Sequence, residues 1–179
     1  KFGRLAEAVV ETGLAHWNDF HQPQPATRQQ LQAVHNRDYI DAFCDGRLDE
    51  ASIKRIGLPW SPQLVMRTTT AVGGTLLTAR LALQHGLACN LAGGTHHAFP
   101  DAGSGFCIFN DIAVTAQSLY QTGEARHILI IDLDVHQGDA TALIFRDNPD
   151  IFTFSIHGEK QFPLRKQQSD LDLELPVAT

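Results

Sequence analysis

The chain has 179 residues, 43% of them hydrophobic and 19% charged, with a formal net charge of −6. That length and balance suit one soluble globular domain with a sizeable core. The acidic balance, with no basic run longer than a pair, excludes nucleic-acid binding through a basic face. No stretch approaches the roughly 18 apolar residues of a membrane span, and no signal-peptide pattern is present, so no membrane partner is expected. The cysteines, Cys44, Cys89 and Cys107, are odd in number and dispersed. They predict a reducing, cytoplasmic home rather than a disulfide framework. The chain begins at Lys1, without methionine and already inside a helical pattern, so an upstream segment is expected.

In chain order, Phe2 to Glu11 carries Leu5, Ala8 and Val9 at helical spacing, and Gly13 can stop it. His16 to Pro25 reads as a loop. Thr27 and Gln30 form a capping box for a short helix. A second helix starts at Asn36 or Arg37 and runs through Tyr39, Ile40 and Phe43 to about Gly46. His35, between the two, reads as a packed or surface histidine rather than a ligand. Leu48 to Trp60 reads as irregular.

Ser61 then caps, Pro62 takes the first helical position, and Gly86 closes the longest helix. Leu64, Thr68, Val72, Leu76, Ala79 and Leu83 are its expected buried face. Gly73-Gly74 in its interior costs about 1 kcal/mol per residue relative to alanine. The expected compensation is close approach of another backbone. Leu87 to Ala92 reads as a buried strand, leading into Gly93-Gly94-Thr95-His96-His97-Ala98.

The histidine pair offers an acid and a base whose pKa values neighbours can separate. The alternative is one packed and one wet loop histidine. Gly103-Ser104-Gly105 is neither a dinucleotide fingerprint nor a nucleophile elbow. Asn110 or Asp111 caps a helix through Ala113, Ala116 and Leu119 that closes at Gly123. A strand at 127–133, a helix from about Gly138 to Phe145 and a strand from Asp150 to Ile156 follow. A last strand is expected at Leu171 to Leu175.

The most informative stretch is Ile128-Leu129-Ile130-Ile131-Asp132-Leu133-Asp134-Val135-His136-Gln137-Gly138-Asp139. Its apolar run predicts a parallel strand buried on both faces. Its acids and histidine fall at the carboxyl end, where open α/β sheets gather their sites. Alternation puts Asp132, Asp134 and His136 on one side. Asp134 and His136 can both reach a divalent cation, with Asp132 behind as an acceptor. The alternative is a strand end whose acids cap the next helix or face water.

Three motifs now stand in order: Gly93-Gly94-Thr95-His96-His97-Ala98, Gly105-Phe106-Cys107-Ile108-Phe109-Asn110-Asp111, and Asp132-Leu133-Asp134-Val135-His136-Gln137-Gly138. On these the chain resembles a histone-deacetylase-type member of the arginase/deacetylase superfamily. Gln137 and the stretch Arg55-Ile56-Gly57-Leu58-Pro59-Trp60 resemble the class IV and bacterial branch. The resemblance implies an α/β fold, a three-layer parallel β-sheet flanked by helices, of which 1–179 would be the N-terminal part. It implies a zinc-dependent amidohydrolase removing acetyl or other acyl groups from N-acyl-lysine or a similar acylated amine.

By the same resemblance Asp134 and His136 would be two of three zinc ligands. His96 and His97 would flank the zinc-bound water, with Asp132 orienting His96 and Asp139 behind His97. Phe106 and Phe162 would wall a tunnel for the acyl-lysine stem, and the Gly105 carbonyl would meet the substrate amide. Asp132 and Ser155, with carbonyls of Asp134, His136 and Ile156, resemble a structural potassium site. The entrance near Gly57 to Trp60 would bear on substrate choice.

Three family elements are not found before Thr179: a third zinc ligand, which should be an aspartate well after Phe162; a glycine-rich strand-to-loop after it; and the tyrosine, or its substitute, on that loop that steadies the oxyanion. Asp170, Asp172 and Glu174 are the only late acids, and no tyrosine follows Tyr120. The expected partner is therefore a C-terminal remainder of the same domain, and the isolated chain is expected to be nearly inactive. Two rivals remain: a binuclear manganese ureohydrolase of the same fold, disfavoured because Gly138 stands where its second acid should be, and a non-catalytic truncated module.

Overall fold

The structure is a computed structural model that describes residues 2–176. Its elements are α1 (Phe2–Glu11), a 3-10 turn (Trp17–Asp19), α2 (Arg28–Leu31), α3 (Arg37–Cys44), α4 (Glu50–Ile56), α5 (Pro62–His85), α6 (Asp111–Thr122), β1 (Ile128–Asp132), α7 (Asp139–Phe145), β2 (Ile151–Gly158) and β3 (Leu171–Leu175). The strands form one parallel sheet in the order β1-β2-β3. This is an α/β fold in which helices pack against a parallel sheet.

Local chemistry sets the boundaries. The Thr27 hydroxyl accepts from the Gln30 N–H, while the Gln30 side chain accepts from the Thr27 N–H at 2.8 Å. Ser61 accepts from the Leu64 N–H at 3.1 Å, and Asn110 from the Ala113 N–H at 2.9 Å. Each satisfies a donor that a helix start otherwise leaves free. Helix α4 lies within 48–60, which the sequence reading left irregular. Asp49 caps it through the Ser52 N–H at 2.7 Å, and Gly57, with φ of 80°, ends it. Both signals are visible in the sequence.

The strand expected at Leu87 to Ala92 does not form. A strand needs a neighbour for its N–H and C=O groups. Among the described residues β1 pairs only with β2. Asn90 instead turns the chain, accepting from the Ala92 N–H at 3.1 Å and donating to Thr75 Oγ1 at 2.8 Å.

Nor is β1 buried on both faces. Helices α6 and α7 cover one face of the sheet, where Ala113, Ala116, Ile130, Phe145 and Ile151 pack together. On the other face Leu129, Ile131, Phe152, Leu171, Leu173 and Leu175 are all exposed. A contiguous apolar row of this kind exceeds the scattered apolar residues of an ordinary surface.

The second cluster fills the space between α3, α4 and α5. Phe109 is fully buried, with Phe43 edge-on at 5.3 Å and Tyr39 at 5.8 Å between ring centroids. The Tyr39 hydroxyl donates to the Ile108 carbonyl at 2.8 Å. This cluster holds the loop that precedes α6.

On α5 the buried residues are Leu64, Thr69, Val72, Gly73, Gly74 and Leu76. The expected stripe through Thr68, Ala79 and Leu83 is only partly realised, and Leu83 is 55% exposed, because the last turns run beyond the core. Gly73 does meet a backbone: a Cβ there would lie 1.9 Å from the Gln24 carbonyl oxygen. Gly73→Ala gains about 1 kcal/mol of helix propensity, but is expected to lose ~3 kcal/mol or more by overpacking. A lowered urea midpoint with an unchanged m-value checks this. No helix of the described residues is long and apolar enough to cross a membrane.

Candidate active site

The histidine pair sits on a loop pinned from below. Gly93 and Gly94 have φ of 137° and 79°, a region glycine enters without steric cost. Asp111, 1% exposed at the first turn of α6, accepts from the N–H groups of Gly94 and Thr95 at 3.2 and 2.8 Å. It also accepts from the hydroxyls of Thr95 and Thr75, each at 2.5 Å. A Cβ on Gly93 would sit 2.5 Å from its carboxylate. Asp111→Ala strands several buried donors, each worth about 1–3 kcal/mol. It is expected to lower stability by ~3 kcal/mol and to raise amide exchange across 93–97.

The two histidines are buried side by side, ring centroids 4.0 Å apart. His96 Nδ1 pairs with Asp132 Oδ2 at 2.6 Å, and His97 Nδ1 with Asp139 Oδ1 at 2.7 Å. Asp132 ends β1 and Asp139 begins α7, so one strand–loop–helix turn supplies both carboxylates. Burial pulls the His96 pKa down, but the Asp132 hydrogen bond and charge, with Asp134 and Asp139 beyond, outweigh it, and the pKa is raised. Two parallel dyads therefore leave the Nε2 atoms as the free ends of both rings.

Asp134 and His136 are not in the strand, which ends at Asp132. The chain bends instead: Asp132 Oδ1 accepts from the Asp134 N–H at 3.0 Å, and Asp134 Oδ1 from the His136 N–H at 2.8 Å. These bonds turn both side chains together, and His136 Nδ1 lies 2.9 Å from Asp134 Oδ1. Burial raises the Asp134 pKa, yet the His136 N–H and the nearby His96 and His136 hold it below the usual carboxylate value. Two donors on a tetrahedral zinc stand ~3.3 Å apart at bond lengths near 2.0 Å. A carboxylate oxygen and an imidazole nitrogen 2.9 Å apart stand at hydrogen-bond distance, a little closer than two corners of such a centre. Among the described residues no group of three or more such side chains could hold a metal.

Of the two phenylalanines expected as tunnel walls, Phe162 lies against the histidines and Phe106 lies over Gly57. Phe162 stands edge-on to His97 at 4.8 Å and to His136 at 6.0 Å. Gly105 lies against both: a Cβ there would meet His97 at 3.0 Å and Phe162 at 3.3 Å. Phe106 follows with a positive φ of 65°, its ring over Gly57 and 68% exposed. A non-glycine residue in that region is uncommon and marks a constrained loop. Trp60 does not reach the site; its indole N–H donates to the Phe43 carbonyl at 2.7 Å. Ser155 pairs in register with Asp132, but its hydroxyl is engaged with His157 Nδ1 at 2.9 Å.

Sequence reasoning missed Asp111, although an acid after a capping asparagine hints at it. It also left Gln137 without a role; that side chain is 1% exposed. No sequence signal foretells its partners, because they lie 30 and more residues away.

The class of protein is thus an α/β protein whose parallel sheet gathers two histidine–carboxylate dyads and an Asp–His donor pair at its carboxyl edge. Residues 1–174 match the histone deacetylase domain, and the chain belongs to the histone deacetylase family. It is 57% identical over 176 residues to an uncharacterised protein of Picosynechococcus sp., covering 98% of this chain and 59% of that protein. It is 36% identical over 166 residues to the acetoin utilization protein AcuC of Staphylococcus aureus, covering 87% and 42%. Among solved structures it resembles a histone deacetylase homologue from Aquifex aeolicus, at 27% identity and a TM-score of 0.78, over 92% of this chain and 50% of that one. A histone deacetylase homologue complexed with SAHA matches at the same identity and TM-score. The chain thus spans about half the length of these relatives.

Proposed function

We propose that the protein of which these residues form part is a zinc-dependent deacylase that hydrolyses the amide of an acylated lysine or a similar acylated amine. One observation carries the reading: two buried His–Asp dyads, 2.6 and 2.7 Å, side by side and next to the 2.9 Å Asp134–His136 donor pair. Asp134 and His136 would hold the zinc, which supplies a Lewis acid and a bound water of lowered pKa. Asp132 and Asp139 fix the tautomers of His96 and His97 through Nδ1 and leave each Nε2 to take or give a proton. The raised His96 pKa suits a base that keeps the proton it takes. The leaving amine needs a proton in return, and the second histidine provides it.

Phe106 and Phe162 offer apolar sides for a lysine stem, with the polar backbone of the substrate left outside, and the Gly105 carbonyl is the acceptor for the substrate N–H. The SAHA complex of a homologue supports an acyl-amine substrate, since SAHA mimics acylated lysine. Asp132 and Ser155 are the proposed side-chain donors to a potassium ion, supported by their register across β1 and β2. The third zinc ligand and the oxyanion donor we assign to a C-terminal remainder of the domain. The exposed apolar sheet face and the greater length of the relatives support that partner. A cytoplasmic location rests on cysteine usage.

The manganese ureohydrolase reading is disfavoured by packing. A Cβ on Gly138 would lie 2.3 Å from Asp132 Oδ2, so a second bridging acid has no room there. Metal analysis of the full-length protein with a fluorogenic acyl-lysine assay decides the matter. One zinc per chain and amide hydrolysis, both lost in His136→Ala, are expected. Two manganese ions with urea release, or neither metal nor turnover, would overturn the reading.

A further inference from the structure

Gln137 follows His136 directly, and its amide is fully buried. Both N–H groups of its Nε2 are used: one donates to the Gln167 carbonyl at 2.7 Å, the other to Asp172 Oδ1 at 2.9 Å. Its Oε1 accepts from the Gln167 N–H at 2.9 Å. Asp172 Oδ2 in turn accepts from the Ser169 N–H at 2.9 Å. These bonds grip the returning end of the connection between β2 and β3, residues 159–170. That connection carries Phe162, whose ring lies against His97 and His136. The loop is also closed internally, since Lys166 Nζ donates to the Gln161 carbonyl at 2.9 Å. A loop braced on itself and held at its neck moves as a unit with whatever holds the neck.

We propose that Gln137 is a positioning residue that ties the Phe162 loop to the backbone beside His136, so that the apolar wall keeps its distance from the two histidines it faces. This rests on the deacylase reading for its effect on substrate, though not for its effect on the loop. Only an amide serves there. A carboxylate lacks both donors and faces Asp172, and a methionine fills the volume without any hydrogen bond.

The test compares wild type, Gln137→Met, Gln137→Glu and the pair Gln137→Glu/Asp172→Asn in the full-length protein. In the pair, the amide moves to position 172 and donates across the same gap in the reverse direction. The carboxylate introduced at position 137 still accepts from the Gln167 N–H. Gln137→Met is expected to raise amide exchange at Gln167 and across 159–170 while 140–145 stays protected. With an acyl-lysine substrate it is expected to raise KM ~10-fold with kcat changed less than ~3-fold, the signature of lost binding rather than lost chemistry. Phe162→Ala should then add little to Gln137→Met, because both remove the same wall. Gln137→Glu should behave like Gln137→Met or worse, and the pair should recover part of the KM, because the bridge to position 172 returns while the bond to the Gln167 carbonyl does not. Unchanged exchange across 159–170 in Gln137→Met would overturn the proposal, as would KM effects of Gln137→Met and Phe162→Ala that multiply independently. Absence of turnover in wild type would sink the deacylase reading alone, and the exchange comparison would still decide the loop.

Discussion

On the proposed deacylase reading, replacing His97 by alanine in the full-length protein is expected to lower kcat by ~10²–10⁴, the range for removing a positioned acid or base, with zinc content unchanged. The ring is buried, its Nδ1 is taken by Asp139 at 2.7 Å, and its flank is closed by Phe162. Little but proton transfer at Nε2 is left for it to do. Asp139→Asn should act in the same direction, because a neutral amide oxygen is a weaker acceptor for Nδ1–H than a carboxylate oxygen. Asp139 also accepts from the Ala140 N–H at 3.0 Å at the start of α7, so part of that loss will be structural. A thermal melt separates the two. Activity kept in His97→Ala would remove this residue from the chemistry and leave His96 with Asp132.

Acid is expected to destabilise the fold through His35. Its Nε2 accepts from the Asn110 N–H at 2.9 Å, a bond in which the backbone can only donate. The ring is therefore neutral, with Nδ1–H donating to the Phe99 carbonyl at 3.0 Å. Burial dominates and pushes the pKa down to about 4, against opposing hydrogen bonds from Phe99 and Pro100. Between pH 6.5 and 4 the unfolded chain binds a proton that the folded chain refuses. Stability contributed by the neutral ring is thus present above pH 6.5 and lost as pH falls, roughly 3 kcal/mol by pH 4 at about 1.36 kcal/mol per unit. His96, with its raised pKa, works in the opposite sense: its contribution is full below the unfolded value and fades as pH rises through the folded one. Denaturant midpoints of wild type and His35→Asn across this range isolate the difference. Equal slopes would show that His35 does not titrate on unfolding.

Much of the site was legible because its chemistry is local. Asp132, Asp134, His136 and Asp139 lie within one strand end, the bend after it and one helix start, and His96-His97 follow closely on two glycines. Thr27, Ser61 and Asn110 cap N–H groups three residues on with their own side chains, and Gly86 stops its helix with a positive φ, so they too could be read directly. Where the sequence reading failed, the missing information was a neighbour. Leu87 to Ala92 is apolar enough for a strand, but no strand pairs with it among the described residues. The apolar run of β1 implies two covered faces, yet helices lie on one.

By itself the sequence determined the element order, the parallel α/β character and the residue types of the site, because periodicity, capping and motif spacing act over a few residues. Only the tertiary structure decided which carboxylate meets which histidine, that Asp111 holds the histidine loop, that Gln137 grips the chain 30 residues on, and that His35 is neutral. Each of those is a contact between segments distant in sequence. It is selected because a buried donor or acceptor without a partner costs more than ordering the chain that brings one.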